Sequence, residues 1–299
     1  MTPTHVHGRV LVCAGSDSCG GAGIQADIKA VTALGGYAMT AVTTLTAQST
    51  QGVLGIQPVP PSFVAQQMTI CLEDIGADVI KTGMLGTAAM IETVGEVLKK
   101  SAKNIPLVVD PVMAAKDGTV LLEANAMHAL RLHLMTRATL VTPNLSEASV
   151  LLGEDMEAPG NLTMMARRLL EQVPMGAVLL KGGHKKGQTV RDVLVTRSGQ
   201  TIVFAHARIH STSTHGTGCT LAASIACGLA QGMGLEVAIR RAQDYVQTAI
   251  ATSPGYGKGS GPLNHVHTVR SHVVPISCGG GRDRSRTCSP SHVKRVLSR

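Results

Sequence analysis

Three polar clusters follow three apolar runs of the chain, and their residue types suit phosphate and magnesium chemistry. They begin at Asp110 (Asp-Pro-Val-Met), Thr142 (Thr-Pro-Asn-Leu-Ser-Glu) and Lys181 (Lys-Gly-Gly-His). Asp110, Asn144 and Glu147 offer the hard oxygen ligands that Mg²⁺ takes, often through water, and Lys181 can neutralise phosphate charge. Each cluster alone could be a helix cap or a surface ion pair. Three of them at strand ends on one side of a sheet favour a single site.

Residues 214–219 (Thr-His-Gly-Thr-Gly-Cys) precede a run of small apolar residues with helical spacing. Gly216, Thr217 and Gly218 would bring several backbone N–H groups together at a helix N-terminus, which is an anion-binding arrangement. Cys219 would lie in the first turn, where we expect a thiol to have a depressed pKa. The alternative is a flexible loop that contains a buried cysteine.

Residues 15–23 (Gly-Ser-Asp-Ser-Cys-Gly-Gly-Ala-Gly) connect a predicted strand to a predicted helix, where ligands bind in open α/β sheets. A dinucleotide site is disfavoured because the full G-x-G-x-x-G spacing is missing and no acid follows about 20 residues later. The chain has no Walker A sequence. A tight turn without a ligand stays open as an alternative.

Short apolar runs alternate with helical segments along most of the chain. The predicted strands are residues 9–14, 37–45, 78–82, 107–110, 140–142 and 177–181, and 192–196 with 201–205 form a hairpin near the sheet edge. The predicted helices are residues 24–34, 62–74, 87–99, 123–135, 145–152, 163–172, 219–231 and 235–252. This order predicts an α/β fold with a mainly parallel central sheet and helices on both faces.

Composition narrows the classes of protein. The chain has 299 residues with no Trp, three Tyr and two Phe, so a single-strand nucleic-acid binder is disfavoured. Residues 270–299 contribute +6 of the formal net charge of +8. We therefore predict a short N-terminal extension (1–8), one large α/β domain (9–269) and a basic, disordered tail (270–299).

Seven cysteines without a C-x-x-C pair, no signal peptide and no membrane-length apolar run predict a cytoplasmic protein with reduced thiols and no membrane partner. The pairs His5/His7 and His265/His267 are two residues apart and His128/His133 are five apart, so none of them has the i,i+4 spacing of a helical metal site and zinc is not expected.

The segments GSDSCGGAGIQAD, LTAQS, KTGML, DPVM, TPNLSEA, KGGH and THGTGC occur in this order, and GKGSGPLNH closes the body. In this the chain resembles the hydroxymethylpyrimidine/phosphomethylpyrimidine kinases of thiamine biosynthesis, a branch of the ribokinase-like superfamily. The resemblance extends from about residue 9 to 268. It implies a ribokinase-like fold, ATP and Mg²⁺ as cofactors and a small-molecule substrate, and we also expect a homodimer.

The resemblance also implies roles for residues. The positions that would line the pyrimidine pocket are Gly15, Asp27, Gln48, Met84 and Val112. Cys219 falls where most ribokinase-like enzymes have a general-base Asp, and Gly216, Thr217 and Gly218 would form the anion hole. Asp110, Asn144, Glu147 and Lys181 would serve Mg²⁺ and the ATP phosphates, with Asp110 and Glu147 holding the metal through water. An amide such as Gln48 presents one donor and one acceptor, the complement of an aminopyrimidine edge.

Several alternatives remain. A pyridoxal kinase of the same superfamily shares the phosphate machinery and differs in the ring pocket. A sugar kinase is less favoured, since such enzymes use the Asp that Cys219 replaces. A non-catalytic sensor of pyrimidine or thiamine is disfavoured by the intact set of Asp110, Glu147, Lys181 and Thr217. Only the basic tail favours a nucleic-acid module.

Overall fold

Apolar runs that are buried on both faces form the centre of the sheet, as expected for parallel strands between helices. The computed structural model describes residues 7–115, 117–154, 161–183 and 187–269. The strands are β1 (Arg9–Asp17), β2 (Tyr37–Ser49), β3 (Gly52–Pro58), β4 (Val79–Thr82), β5 (Leu107–Val109), β6 (Leu140–Val141), β7 (Ala177–Leu180), β8 (Thr189–Thr196) and β9 (Thr201–Ala207). The helices are α1 (Gly23–Ala33), α2 (Pro61–Asp74), α3 (Ala88–Ser101), α4 (Ala126–Ala129), α5 (Leu145–Leu152), α6 (Leu162–Gln172), α7 (Thr217–Ala230) and α8 (Leu235–Ala251).

The described residues form a nine-stranded sheet in the order β3-β2-β1-β4-β5-β6-β7-β8-β9. The six central strands β2, β1, β4, β5, β6 and β7 run parallel, and β3, β8 and β9 pair antiparallel at the two edges. The parallel strands therefore bring their carboxyl ends to one edge of the sheet. The predicted α/β architecture and the edge hairpin are confirmed.

Two apolar cores lie on opposite faces of the sheet. Successive side chains of β1 alternate between them: Leu11 and Cys13 join the core with α2 to α6, whereas Val10 and Val12 join the core with α1, α7 and α8. None of the helices in the described ranges is long and apolar enough to cross a membrane.

Two elements differ from the predictions. Strand β3 was not predicted, because two glycines, a proline and mostly exposed positions hide the strand pattern. The predicted helix 123–135 is only partly α-helical: α4 gives way to a π-helical turn at Leu130–Leu134 and a 3₁₀ turn at Met135–Arg137. The predicted tail 270–299 and most of the extension 1–8 lie outside the described residues, so these boundaries stay predictions.

Candidate active site

A cavity of about 760 Å³ opens at the carboxyl ends of the parallel strands. The predicted site residues that line it are Gly15, Gln48, Met84, Asp110, Val112, Asn144, Glu147, Lys181, Gly216, Thr217, Gly218 and Cys219. Because these residues come from separate parts of the sequence, their convergence supports the prediction of a single site at this edge of the sheet. Asp27 is the one predicted residue that does not line the cavity.

Asp17 organises the glycine-rich loop at the end of β1. Its carboxylate accepts hydrogen bonds from the backbone N–H groups of Cys19 (2.9 Å), Gly21 (3.0 Å) and Ala22 (2.8 Å). Burial opposes ionisation, but His215 and these N–H groups outweigh it and lower the pKa of Asp17 to about 2. The loop is therefore a tight turn that also forms one wall of the cavity.

The N-terminus of α7 contains the three residues of the predicted anion hole. Gly216 caps the helix with a φ of 78°, and a Cβ atom there would collide with the carbonyl oxygen of Gly21, so only glycine fits. The N–H groups of the first turn have no partner within a helix and are directed beyond its end. A Cβ atom on Gly218 would lie 3.4 Å from Lys181 Nζ and 3.8 Å from Asp110 Oδ2. The helix terminus therefore borders the charged residues of the site.

Asp110, which is buried, forms an ion pair with Lys181, which is partly exposed. Lys181 Nζ lies 3.1 Å from Asp110 Oδ1, and Thr142 donates to the same oxygen at 3.0 Å. The backbone N–H of Lys181 bonds to the carbonyl of Pro143 at 2.9 Å, which fixes the end of β7 beside the end of β6. Burial opposes the ionised form of Asp110, but Lys181 and Lys81 outweigh it and lower the pKa of Asp110.

Asn144 and Glu147 form a capping box at the start of α5. Asn144 Oδ1 accepts from the Glu147 N–H at 2.9 Å, and Glu147 Oε2 accepts from the Asn144 N–H at 2.7 Å. The helix-cap alternative is therefore realised, although both side chains also line the cavity. Burial raises the pKa of Glu147 to about 7; Lys181 opposes this shift and the charge of Asp110 adds to it.

Asp27 and Lys81 form a second, buried ion pair, which the sequence did not reveal. Lys81 Nζ contacts the two carboxylate oxygens of Asp27 at 2.8 and 3.0 Å, and neither side chain is exposed. Asp27 thus lies behind Lys81, which itself lines the cavity. Burial opposes the charge of Lys81, but Asp27 outweighs it and raises the pKa of the lysine. The structure places Asp27 as the partner of Lys81 rather than on the cavity wall.

The expected low pKa of Cys219 is wrong. Burial raises the pKa of its thiol to about 11, although the charge of Lys81 opposes the shift. The acidic side chains of Asp27 and Asp110 add to the rise. The sequence showed the helix N-terminus but neither the burial nor the acids, and these reverse the expected direction.

Gln48 lies on β2, which β1, β4 and β5 separate in the sheet from β6 and β7, the strands that precede Asn144 and Lys181. Its side chain contacts Thr46 Oγ1 at 3.1 Å and His215 Nε2 at 3.4 Å, and His215 Nε2 lies 2.8 Å from Asp17 Oδ2. Both of these contacts of the Gln48 side chain are with other side chains. His215 was visible in the sequence within residues 214–219 but was given no role.

The far end of the cavity contains residues that sequence reasoning missed. Asp192 accepts from the Gly182 N–H and from Gln243 Nε2, each at 2.8 Å, and His206 and Val246 lie beside it on the wall. These residues come from β8, β9 and α8. Only the fold brings them together, so no local sequence signal could have found them.

The glycine segment near residue 260 packs against the loop after β2, beside the site. Thr50 Oγ1 accepts from the N–H groups of Lys258 and Gly259, each at 3.2 Å, and a Cβ atom on Gly257 or Gly259 would collide with Thr50. A smaller cavity of about 300 Å³ lies between this segment, Asp117 and Gln48. The glycines therefore allow the segment to pack against the loop after β2.

A cavity at the carboxyl edge of a mainly parallel sheet, with a helix N-terminus beside lysines and acids, is typical of a kinase of the ribokinase-like class. The family model described as phosphomethylpyrimidine kinase matches residues 17–264. The chain belongs to this family.

Individual relatives agree with this assignment. The chain is 43% identical to the hydroxymethylpyrimidine/phosphomethylpyrimidine kinase of Streptomyces coelicolor, with 88% of this chain and 96% of the relative covered. It is 46% identical to the thiamine biosynthesis bifunctional protein ThiED of Geobacter sulfurreducens, over 87% of this chain but only 52% of that protein. The chain thus spans about half of the bifunctional relative and nearly all of the single-function one.

Among solved structures, the pyridoxal kinase of Staphylococcus aureus in complex with ADP superposes with a TM-score of 0.80 at 32% identity. The match covers 89% of this chain and 96% of the other.

Proposed function

We propose that the chain transfers the γ-phosphoryl group of ATP to 4-amino-5-hydroxymethyl-2-methylpyrimidine, and then to its monophosphate, in the biosynthesis of thiamine diphosphate. The observation that carries the proposal is the position of Gln48 in the same cavity as Cys219 and the N-terminus of α7. Gln48 can read an aminopyrimidine edge while the helix terminus receives the transferred phosphate. The names of the family and of the Streptomyces coelicolor relative support this substrate.

ATP fits the phosphate end of the cavity. The Staphylococcus aureus pyridoxal kinase binds ADP in a closely similar fold. In this chain Lys181 and the N–H groups of Gly216, Thr217 and Gly218 would hold the phosphates, because they offer positive charge and unpaired donors in a buried setting.

Magnesium fits the carboxylates beside that end. Asp110 and Glu147 are both buried, and their mutual repulsion contributes to the raised pKa of Glu147, so a divalent cation would stabilise both in ionised form. Asn144 offers an amide beside them, and a water shell would complete the coordination. When bound, the metal neutralises charge on the phosphates.

Catalysis would rest on positioning and on charge stabilisation, as in other phosphoryl transfers. Gln48, Met84 and Val112 would hold the ring, and the donors at the start of α7 would stabilise the oxygens of the moving phosphoryl group. Cys219 is placed to accept the proton of the alcohol. Because its thiol has a pKa of about 11, it is protonated at neutral pH, and its action as a base would increase with pH.

The proposal is tested by incubating the purified chain with ATP, Mg²⁺ and hydroxymethylpyrimidine and following products by phosphorus NMR. A phosphomonoester should form first and a diphosphate later. ATP consumption without a pyrimidine phosphate, or no consumption at all, would refute the proposal.

Pyridoxal is the second candidate substrate, since the Staphylococcus aureus neighbour is a pyridoxal kinase. Pyridoxal lacks the amino group that Gln48 would read. Gln48 is partly exposed in the structure, and a bound ring would bury its amide; a buried amide that loses a partner costs about 1–3 kcal/mol. Gln48→Leu removes both the hydrogen bonds and this penalty, so it should lower kcat/KM for hydroxymethylpyrimidine and narrow its preference over pyridoxal. Steady-state kinetics of wild type and Gln48→Leu on both substrates measure this preference. If the ratio of kcat/KM for hydroxymethylpyrimidine to kcat/KM for pyridoxal is the same in both proteins, the role of Gln48 is contradicted.

We also infer a homodimer. Strand β3 lies at the edge of the sheet, and it exposes Leu54 (88%) and Ile56 (43%), whereas an edge strand of a monomer is usually protected by charge. Sedimentation of wild type and Leu54→Lys tests this inference: wild type should sediment as a dimer and the variant as a monomer. A monomeric wild type contradicts it.

The cytoplasm is the proposed location, and the five cysteines of the described residues are all free thiols, which supports it. Scarce aromatic residues and the small net charge outside the tail support the absence of a nucleic-acid partner. Cell fractionation and a gel-shift assay with single-stranded DNA test these two points.

A further inference from the structure

We propose that His215 and Thr46 fix the orientation of the Gln48 side-chain amide and thereby set which way the aminopyrimidine ring faces. His215 is then a positioning residue that acts through Gln48. The inference rests on the proposed function and adds to it the orientation of the substrate.

The first argument comes from the proton on His215. Nε2 of His215 lies 2.8 Å from Asp17 Oδ2, and an ionised carboxylate can only accept, so this nitrogen carries the proton. The same nitrogen lies 3.4 Å from the terminal atom of Gln48 that the structure places as Nε2, so two N–H groups face each other as placed. An N–H group cannot accept a hydrogen bond, so only the amide orientation with its oxygen toward His215 makes a favourable contact.

The second argument comes from Thr46 and is independent of the first. Thr46 Oγ1 donates to the carbonyl oxygen of Ser16 at 2.9 Å, which uses its only proton. Its lone pairs can then only accept, and the Gln48 atom that the structure places as Oε1 lies 3.1 Å away, so two acceptors face each other as placed. That atom must therefore be the NH₂ group. Both ends of the amide therefore favour the orientation turned by 180° from the one placed, and an amide is assigned by the hydrogen bonds that it makes.

The surroundings hold this arrangement in place. The side chains of Asp17, Thr46 and His215 are all buried. The backbone N–H of His215 donates to the carbonyl of Gly261 at 3.0 Å, and the imidazole packs so closely on Gly21 that a Cβ atom there would collide with it. Rotation of the amide away from this favoured orientation would place two donors against each other at His215, so the buried network disfavours it.

The orientation of Gln48 has a consequence for the substrate. The amino group of the pyrimidine would donate to the amide oxygen on the His215 side, and the neighbouring ring nitrogen would accept from the NH₂ group on the Thr46 side. The hydroxymethyl group is attached to the ring carbon next to the one that bears the amino group. It would therefore face the segment that continues from His215 into Gly216 and Cys219, where the phosphoryl group is received.

Kinetics of single and double variants test the inference. The measured quantity is the ratio of kcat/KM for hydroxymethylpyrimidine to kcat/KM for pyridoxal. His215→Leu removes the donor and should narrow this ratio by roughly 2- to 10-fold, the worth of one hydrogen bond. His215→Gln is the matched control, because its terminal amide can still donate, and it should keep at least half of the preference. In the Gln48→Leu background, His215→Leu should change the ratio no further.

Thr46→Val provides a second, nearly isosteric route if His215→Leu does not fold, as judged by thermal melting. It removes the acceptor for the NH₂ group, should narrow the ratio, and should have no further effect in the Gln48→Leu background. The inference is overturned if His215→Leu and Thr46→Val leave the ratio unchanged, if His215→Gln loses as much as His215→Leu, or if the single effects multiply in the double variants. A wild type that does not phosphorylate hydroxymethylpyrimidine would instead overturn the proposed function.

Discussion

Replacing Lys81 by Met should destabilise the protein because it leaves Asp27 buried without a partner. Neither side chain of the pair is exposed, so water cannot compensate for the lost lysine. At pH 7 Asp27 would take up a proton instead, and protonating a carboxyl of ordinary pKa at that pH costs about 4 kcal/mol. This agrees with the roughly 3–5 kcal/mol that breaking a buried ion pair costs in other proteins.

The predicted loss depends on pH, and its sign follows from the raised pKa of an unpaired Asp27. The unfolded carboxyl ionises near pH 4, so the penalty is absent below that pH and grows by about 1.4 kcal/mol per unit above it. The difference in unfolding free energy between wild type and Lys81→Met should therefore be small at pH 4.5 and large at pH 7.

Chemical denaturation followed by circular dichroism is the appropriate assay, since the chain has no Trp. Glu236→Gln is the control: its ion pair with Arg240 is similarly short at 2.7 Å but exposed by 42% and 56%, so the change should cost under about 0.5 kcal/mol. Asp27→Asn combined with Lys81→Met should recover much of the loss. The reasoning is refuted if Lys81→Met costs no more than Glu236→Gln, or if its cost does not change with pH.

Three further predictions concern catalysis, the tail and acid stability. Cys219→Ala should lower kcat by about 100-fold while ATP still binds. The kcat/KM of the wild type should rise between pH 7 and 9, because the thiol pKa of Cys219 is about 11. Turnover by Cys219→Ala within a few-fold of the wild-type value would exclude Cys219 as the base. Deleting residues 271–299 should leave turnover and Tm nearly unchanged, because that segment has no apolar periodicity, and a large loss of folded protein would contradict this. Burial, Lys29 and His267 lower the pKa of His265 to about 4. The unfolded chain takes up a proton at His265 near pH 6.5, whereas the folded chain does so only near pH 4. The free energy of unfolding should therefore fall as the pH falls from about 6.5 toward 4, by up to roughly 3 kcal/mol. Melting curves of His265→Gln across this range should show a smaller fall, and an equal fall would exclude His265 as the cause.

The sequence was sufficient for the fold and for the residues at the strand ends. Apolar runs with polar residues directly after them identify buried parallel strands, and such ends must share one edge of the sheet. This is why the order of residues along the chain is enough to group Asp110, Asn144 and Lys181.

Interactions between distant residues could not be read in the same way. Lys81 lies in a strand whose other residues look like ordinary core, and its partner Asp27 is on a helix 54 positions away. The pKa of Cys219 depends on burial and on two acids that only the fold brings near it. Strand β3 is an edge strand with glycine, proline and exposed positions, so its pairing with β2 defines it more than its own sequence does.

The most direct test of the central claim is the steady-state kcat/KM of the wild-type chain for hydroxymethylpyrimidine and for pyridoxal, measured with saturating ATP and Mg²⁺. The position of Gln48 predicts that hydroxymethylpyrimidine is preferred by at least about 5-fold, the lower end of the penalty for an unpaired buried amide. Equal values, or a preference for pyridoxal, would contradict an active site built to read an aminopyrimidine.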